Sequence, residues 1–399
     1  MFRMSRYIKS LMNPAPLGPL PQPTGPVVIW NLTSHCNLTS NHSYSTSADD
    51  DFRNELSTTE IYTVMEDLKA FGVPRLILSG GEPLLRPDIF EISHRAKTMG
   101  FYVGVFTSGT LITEENIGRI AEVGYDYVGI SLDGLEKNHD EFRQQKGAFK
   151  ASLEAVDLCK QAGIKVGLHF SLTRDNFLEL PAVLALVDEH EIDTFCLSHL
   201  NYSGHSSRNR KHDAWYNMTR QAMRLMFHHC QQELQRGVER EYVTSNNDAD
   251  GPFLIEWAKQ HYPDQVGALE QRLQNRGGNC AGVNIANIDS LGTIHPDSFW
   301  WDFSLGNVRQ TPFSRIWPDP SDPLLWDLRQ HPRPVKGRCA SCKYLSMCNG
   351  NTRIRAYKKS GDVWDEDPGC YLTDEEIGVI ETPRPMVIPV TEIRARNLL

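Results

Sequence analysis

The chain has 399 residues, of which 40 % are hydrophobic and 23 % are charged, and its formal net charge is −9 at pH 7. These values are ordinary for globular proteins, so they exclude a disordered chain, and the acidic balance argues against a general nucleic-acid binder. The apolar runs fall far short of the roughly 20 residues that a membrane-spanning helix needs. At roughly 100–200 residues per domain, we expect a soluble protein of two or three units, with neither nucleic acid nor membrane as a partner.

The chain begins with an amphipathic stretch and a proline-rich arm. Apolar side chains occur at Phe2, Tyr7, Ile8 and Leu11, and six prolines follow between Pro14 and Pro26, which exclude regular helix or internal strand there. No continuous apolar segment of a secretory signal is present, so we expect a cytoplasmic location. In that reducing compartment, clustered thiols bind metal more often than they form disulfides.

From residue 27, β-branched and aromatic runs alternate with stretches of helical period. The predicted strands are 27–32, 75–79, 102–107, 127–132, 165–172 and 195–200. The predicted helices between them are 58–71, 87–99, 113–123, 148–162 and 177–190. This alternation indicates βαβ crossovers and an α/β fold with a parallel sheet, either open and doubly wound or closed into a full or partial barrel.

The alternation stops after residue 200. Two helical stretches, 213–233 and 253–274, are followed by a short hairpin formed by 281–289 and 292–295. We therefore divide the chain into an arm (1–26), a barrel domain (27–207), a helical linker (208–275), a smaller cysteine-rich domain (276–378) and a tail (379–399).

The residues that follow the strands are polar or rich in glycine. They include Ser34–Leu38, Gly80–Pro83, Thr107–Thr110 and Ser131–Gly134. Each stretch alone is typical of a turn, but the carboxyl ends of parallel strands meet at one edge, where active sites of such folds form. Their joint placement therefore predicts a functional site at that edge.

The loop after the first strand contains Cys36, Ser40, Ser43 and Tyr44. It resembles the cluster-binding loop of radical S-adenosylmethionine (radical SAM) enzymes, C-x3-C-x2-C followed by an aromatic residue, with serines in place of the second and third cysteines. The resemblance implies a partial (β/α)6 TIM-like barrel. It also implies a [4Fe–4S] cluster on this loop, S-adenosylmethionine, and an electron donor such as flavodoxin or ferredoxin.

Three further stretches resemble the cofactor-binding elements of the same family. Gly80, Gly81, Glu82 and Pro83 match its GGEP element, which holds the amino group of S-adenosylmethionine. Thr107–Thr110 matches its T-N-G element with Ser108 in place of asparagine, and Ser131 to Asp133 match its ribose-contacting strand end.

Four cysteines near the carboxyl terminus, Cys339, Cys342, Cys348 and Cys370, have the spacing of a metal site. Four thiolates suit a tetrahedral zinc or a [4Fe–4S] cluster, and spacing alone does not separate the two. The set resembles the SPASM/twitch extensions that carry auxiliary clusters. Because Thr352 and His295–Asp297 stand where those extensions often have cysteine, we expect one auxiliary cluster rather than two.

Several longer stretches resemble the radical SAM family of heme d1 biosynthesis. They are 198–202, 246–251, 284–288, 295–302 and 347–353. The resemblance implies a tetrapyrrole substrate, 12,18-didecarboxysiroheme, whose propionate side chains an oxidoreductase or lyase modifies through a 5′-deoxyadenosyl radical. A SPASM-type peptide-modifying maturase and a non-catalytic tetrapyrrole-binding paralogue are the alternatives.

Ser40 and Ser43 put the first cluster in question. A serine hydroxyl is a much weaker acid than a thiol and a hard oxygen donor, so both positions should bind iron–sulfur iron poorly. We expect this cluster and its activity to be lost. The serines are explained by engineered replacement, by a natural degenerate paralogue, or by another metal site made by His35, His42 and Cys36. The intact motif around the two serines favours engineered replacement. The further departures from the family pattern at Ser108, Ser203 and Ser206 favour a natural degenerate paralogue.

Overall fold

The computed structural model describes residues 1–14, 25–38, 54–203 and 210–379. Ser40, His42, Ser43, Tyr44 and Ser206 lie outside the described residues, as does the tail from residue 380. None of the described helices combines the length and the apolar composition that crossing a lipid bilayer requires.

The described strands form one mixed sheet in the order β10-β9-β8-β1-β2-β3-β4-β5-β6-β7. They are β1 Val27–Asn31, β2 Arg75–Ser79, β3 Tyr102–Thr107, β4 Tyr127–Ser131, β5 Val166–Leu172, β6 Thr194–His199, β7 Glu241–Ser245, β8 Ile285–Ile288, β9 Thr293–His295 and β10 Gly306–Asn307. The strands from β8 through β1 to β7 are parallel, and β9 and β10 are antiparallel to their neighbours. The predicted partial barrel is therefore confirmed.

The helices cover the outside of this sheet and continue into the carboxyl-terminal part. They are α1 Met4–Met12, α2 Thr58–Phe71, α3 Ile89–Thr98, α4 Ile117–Val123, α5 Glu136–Arg143, α6 Ala148–Gln161, α7 Leu180–Glu189, α8 Tyr216–Gln235, α9 Asp250–His261, α10 Val266–Arg276, α11 Phe313–Ile316, α12 Pro323–Leu328, α13 Gly337–Ala340, α14 Leu345–Cys348, α15 Arg353–Ser360 and α16 Asp374–Ile377.

Local sequence signals account for much of this agreement. The six predicted strands are present with ends within one residue of those expected. Helix α2 has the predicted bounds because Ser57 and Glu60 form a capping box at its start and Gly72 adopts a left-handed conformation at its end. Helix α4 begins later than residue 113, because the segment before it forms a turn in which Asn116 Oδ1 accepts the Thr113 N–H.

Three further differences from the expectation concern a split helix, an added helix and an added strand. The predicted helix 253–274 is two helices, because Pro263 interrupts the helical hydrogen bonding after Tyr262. Helix α5 was not predicted, since its sequence is almost entirely polar and has no apolar period. Strand β7 lies inside the stretch taken as a helical linker and extends the parallel sheet beyond β6.

The sheet runs across both predicted domain boundaries. Strand β7, from the stretch 208–275, pairs with β6, and β8, from the stretch 276–378, pairs with β1. The predicted hairpin is confirmed as the antiparallel pair β8 and β9. The carboxyl-terminal segment thus contributes directly to the wall of the barrel.

The amino-terminal residues protect the outer edge of β7. The Phe2 N–H donates to Thr244 O at 2.7 Å, and the Thr244 N–H donates to Phe2 O at 2.8 Å. Beside this bridge, Met4, Ile8 and Leu11 of α1 are buried. The predicted amphipathic start is therefore a helix that covers backbone groups which a sheet edge would otherwise expose.

Candidate functional site

A cavity of ≈ 320 Å³ opens at the carboxyl ends of the parallel strands. Each strand from β2 to β7 contributes a hydroxyl residue at or near its end: Ser79, Thr107, Ser131, Ser171, Ser198 and Ser245. Cys36 lines the same cavity. The strand-end residues that the sequence singled out are thus brought together at one rim, as parallel strands require.

The glycine pair allows the Cys36 loop to lie against the end of β2. The Gly81 N–H donates to Thr33 O at 2.8 Å, and the Glu82 N–H donates to His35 O at 2.7 Å. A Cβ atom on Gly80 would stand 2.5 Å from Thr33 O, so a larger residue does not fit there. These residues therefore have a structural reason to be glycine, namely close backbone approach.

Cys36 is half-buried, and burial raises the pKa of its thiol. It is the single thiol of its loop motif, because Ser40 and Ser43 supply hydroxyl groups at the other two positions. One thiol and two hydroxyls do not match the donor set of a three-thiolate iron–sulfur site. The loss of the cluster from the loop of Cys36, Ser40 and Ser43 stays a prediction.

Glu82 is completely buried and its carboxylate accepts four hydrogen bonds from the protein. Oε1 accepts from Thr107 Oγ1 at 2.8 Å and from the Leu84 N–H at 3.2 Å. Oε2 accepts from the Ser108 N–H at 2.9 Å and from Ser108 Oγ at 2.8 Å. Burial raises the pKa of Glu82, because these donors only partly replace lost water. Glu82 thus fixes Thr107 and Ser108, and its contact with an ammonium group stays a prediction.

Ser131 lines the cavity, whereas Asp133 is buried outside its lining. The Asp133 carboxylate pairs with Arg143 of α5 and accepts the Ser171 N–H at 2.8 Å. Arg143 itself faces the cavity, and its Nε has no hydrogen-bond partner among the described residues. Sequence reasoning missed Arg143, because a single arginine on a polar helix carries no signal of its position.

The four carboxyl-terminal cysteines surround a second, small cavity. The other residues that line it include Ala249, Pro252, Leu345, Leu372 and Ile377. The pKa of Cys348 is raised well above its ordinary value by burial and by the other three thiols around it. The structure thus brings together the four thiols that the sequence spacing grouped, and their binding of a metal stays a prediction.

A second group of possible metal ligands lies outside both cavities. Among the described residues, Asp188, His229 and Glu233 offer ligand atoms within 4.8 Å of one another. Arg240 already neutralises that acidic group, with 2.5 Å contacts to Asp188 and Glu233. A [4Fe–4S] cluster at the four thiols stays a prediction.

One wall of the cavity is formed by β6, by the unpredicted strand β7 and by the carboxyl-terminal segment. His199 Nε2 lies 3.0 Å from Asp250 Oδ2, and the Tyr371 hydroxyl donates to Asp250 Oδ1 at 2.6 Å. Asn201, Cys280 and Asp297 line the cavity at the same wall. Cys280 therefore belongs to the main cavity and not to the four-cysteine site.

Trp300 and Arg353 lie in stretches that carry the family resemblance, Arg355 follows closely, and all three are buried in the carboxyl-terminal part. Trp300 is buried in a small apolar cluster with Leu328 and Ile354. Arg355 forms a buried ion pair with Asp367 at 2.9 Å, and Arg353 donates to backbone carbonyls. Both arginines serve the interior of the carboxyl-terminal part.

Comparison with known proteins supplies the family. The model of the radical SAM superfamily matches residues 30–186. The pre-heme d1 synthase of Dinoroseobacter shibae is 47 % identical over 380 residues, which are 95 % of this chain and 94 % of that protein. The chain belongs to the radical SAM superfamily. The Fe-coproporphyrin III synthase of Methanosarcina barkeri is 41 % identical over 89 % of this chain and 90 % of that protein.

Solved structures of the superfamily share the fold. SuiB of Streptococcus suis, in complex with the precursor peptide SuiA, superposes with a TM-score of 0.68 at 17 % identity, over 88 % of this chain and 76 % of SuiB. This likeness concerns the fold alone. The resemblance that the motifs indicated is confirmed. The superfamily uses a [4Fe–4S] cluster and S-adenosylmethionine, and solved structures of SuiB and of anSMEcpe contain bound S-adenosylmethionine.

Proposed function

We propose that this chain is a radical SAM protein of heme d1 synthesis, and that its cavity binds 12,18-didecarboxysiroheme so that the propionate side chains reach the end of the cavity near Cys36. The observation that carries the proposal is the 47 % identity to a pre-heme d1 synthase over nearly the whole of both chains. A second relative above 40 % identity is also named for a tetrapyrrole product, which favours a tetrapyrrole over a peptide substrate.

The residues of the cavity suit this role. Hydroxyl groups from six strands and the polar wall around Asn201 supply hydrogen bonds, while Ile29, Leu38, Phe106 and Phe142 supply apolar contacts to a macrocycle. Glu82 holds Ser108 at the wall, and Gly81 keeps the Cys36 loop in place. Cys339, Cys342, Cys348 and Cys370 would hold the auxiliary cluster, which supplies a redox centre beside the barrel.

We propose further that the protein with this sequence is inactive. In the superfamily, a cluster bound by three thiolates and S-adenosylmethionine together supply the 5′-deoxyadenosyl radical. Cys36 alone provides a thiolate here, so the radical chemistry needs cysteines at positions 40 and 43 that the sequence lacks. A non-catalytic tetrapyrrole-binding paralogue is the second candidate, and the same two serines favour it.

Restoring the motif tests this proposal. After anaerobic reconstitution, we expect about four irons per chain for the present sequence and about eight for the Ser40→Cys, Ser43→Cys variant. With dithionite, S-adenosylmethionine, 12,18-didecarboxysiroheme and flavodoxin or ferredoxin, the restored variant should form 5′-deoxyadenosine and an altered tetrapyrrole. A variant with Ser45→Cys and Ser47→Cys, in the same loop but outside the motif, is the matched control.

Two results would contradict the proposal. About eight irons in the unchanged protein would show that the serines do not prevent cluster assembly. If the restored variant carried both clusters but formed no 5′-deoxyadenosine with this substrate, the non-catalytic candidate would replace the enzyme.

A further inference from the structure

Asn201 presents an unused hydrogen-bond donor to the main cavity. It follows β6, is 4 % exposed and lines the cavity. Its Oδ1 accepts the Tyr202 N–H at 2.8 Å, but Nδ2 has no hydrogen-bond partner among the described residues. A buried amide N–H without an acceptor is unfavourable, so its position at a cavity wall points to an acceptor on a bound ligand.

Asp297 lies on the adjoining segment and also lines the cavity. Its Oδ1 accepts the Phe299 N–H at 2.8 Å, and the Trp300 side chain donates to the same carboxyl group. Ser203 Oγ donates to Phe299 O, which joins the segment of Asn201 to the segment of Asp297. The segments that carry Asn201 and Asp297 are therefore joined by a hydrogen bond, and both side chains line the same cavity.

The arginines of the cavity are already neutralised. Arg143 pairs with Asp133, and Arg276 pairs with Asp248 at 2.9 Å. Burial lowers the pKa of His169 to about 4, so that this lining side chain is neutral near pH 7. Among the described lining side chains, a substrate carboxylate therefore meets an arginine only where a carboxylate already holds it. Besides Met1, whose amino group acts on Asp248 at the same cavity, the partners left for it are neutral N–H and O–H donors.

Asp297 can serve as such a donor. Burial raises its pKa to about 6, although the charges of Arg333 and His295, which face it from the neighbouring segments, act in the opposite direction. A second carboxylate placed beside it would favour the protonated form further, since two adjacent negative charges repel. A shared proton then joins the two carboxyl groups.

We propose that Asn201 and Asp297 form a subsite for a carboxyl side chain of the tetrapyrrole, in which the Asn201 amide and the protonated Asp297 both donate hydrogen bonds to it. This inference rests on the proposed tetrapyrrole function and deepens it. The subsite selects acids over esters or amides, and binding takes up a proton.

The test uses two probes with the full chain loaded with its auxiliary cluster: an iron tetrapyrrole that carries propionates, and the methyl ester of the same compound. Binding is followed by the absorbance of the tetrapyrrole. We expect the acid to bind at least about tenfold more tightly than the ester, and Asn201→Leu to remove about tenfold of that affinity for the acid while leaving the ester unchanged. Asn275→Leu, on an exposed face of α10, is the matched control.

The dependence on pH tests Asp297 separately. Affinity of the unchanged protein for the acid should fall by several-fold or more between about pH 5.5 and about pH 8, as Asp297 loses its proton. In Asp297→Asn the amide donates at every pH, so this dependence should disappear, whereas exposed Asp264→Asn should keep it. Iron content serves as the check that each variant is folded.

The outcomes separate the two proposals. If neither probe binds, the tetrapyrrole function fails and the subsite fails with it. If acid and ester bind equally, or if Asn201→Leu weakens both alike, the tetrapyrrole function survives and the subsite is wrong. A pH dependence that persists in Asp297→Asn would likewise overturn the role of Asp297.

Discussion

Gly81 lies directly against the backbone of His35: a Cβ atom on Gly81 would stand 2.0 Å from the His35 carbonyl oxygen. No side-chain rearrangement can relieve this overlap, because the neighbouring atom belongs to the main chain. The end of β2 and the loop that carries Cys36 can therefore pack this closely only because Gly81 has no Cβ atom.

Gly81→Ala should displace the Cys36 loop. We expect a loss of about 1–3 kcal/mol of stability, as found when extra volume forces the backbone to move, and faster modification of Cys36 by a maleimide. Thermal unfolding and peptide mapping measure the two effects. Gly118 is exposed on a helix, and a Cβ atom added there would meet no atom within 4 Å outside its own helix backbone. Gly118→Ala should therefore leave the labelling of Cys36 unchanged. Equal labelling in both variants would contradict this role of Gly81.

Glu82→Gln should destabilise the cavity wall although it removes a buried charge. Each carboxylate oxygen of Glu82 accepts two hydrogen bonds, and an amide NH2 can accept none of them. Leaving two donors unpaired should cost about 1–3 kcal/mol, measured by urea unfolding. Glu66→Gln, which alters an exposed pair with Arg95, should change stability by less than about 0.5 kcal/mol. The expectation fails if both variants behave alike.

Cys348→Ser should abolish binding of the auxiliary cluster. Its thiol lies among the three others, and a hydroxyl is a poor ligand for iron–sulfur iron. We expect about four irons per chain to fall towards zero, together with the visible absorbance of the cluster. Cys230→Ser, buried in α8 outside both cavities, should keep its iron. Retention of iron by Cys348→Ser would remove this residue from the ligand set.

His139 should make the protein sensitive to acid. Burial lowers its pKa to about 4 from 6.5, and its Nδ1 accepts the Asp133 N–H, which fits a neutral ring. The unfolded chain binds a proton below about pH 6.5 and the native one only below about pH 4, so stability falls as the pH drops through this window, by up to about 3 kcal/mol.

His139→Asn keeps an acceptor for Asp133 but cannot titrate. Between about pH 6.5 and about pH 4, the variant should therefore lose less stability than the unchanged protein. The difference should be the contribution of His139, up to about 3 kcal/mol. Urea unfolding at several pH values, with cluster content matched, measures the difference. Identical pH profiles for the two proteins would show that His139 is already protonated in the native state.

The sequence by itself determined the first six strands and most of the helices between them, and it grouped the four carboxyl-terminal cysteines. The first six strands and the parallel sheet followed from local signals. These signals are the alternation of apolar and polar residues in strands, the helical period, the capping box at Ser57 and glycine at helix ends. The four cysteines could be assigned to one site, because their spacing and chemistry suffice. The motif with Cys36 and Gly80–Pro83 indicated the family for the same reason.

The tertiary structure alone decided what each polar side chain does. The sequence did not indicate that Glu82 accepts hydrogen bonds from Ser108 or that Asp133 pairs with Arg143. Strand β7 and the wall of Asn201 and Asp297 depend on pairings between segments far apart in the chain. Local periodicity reports which face of an element is buried, whereas hydrogen-bond partners and orphaned donors are properties of the assembled fold.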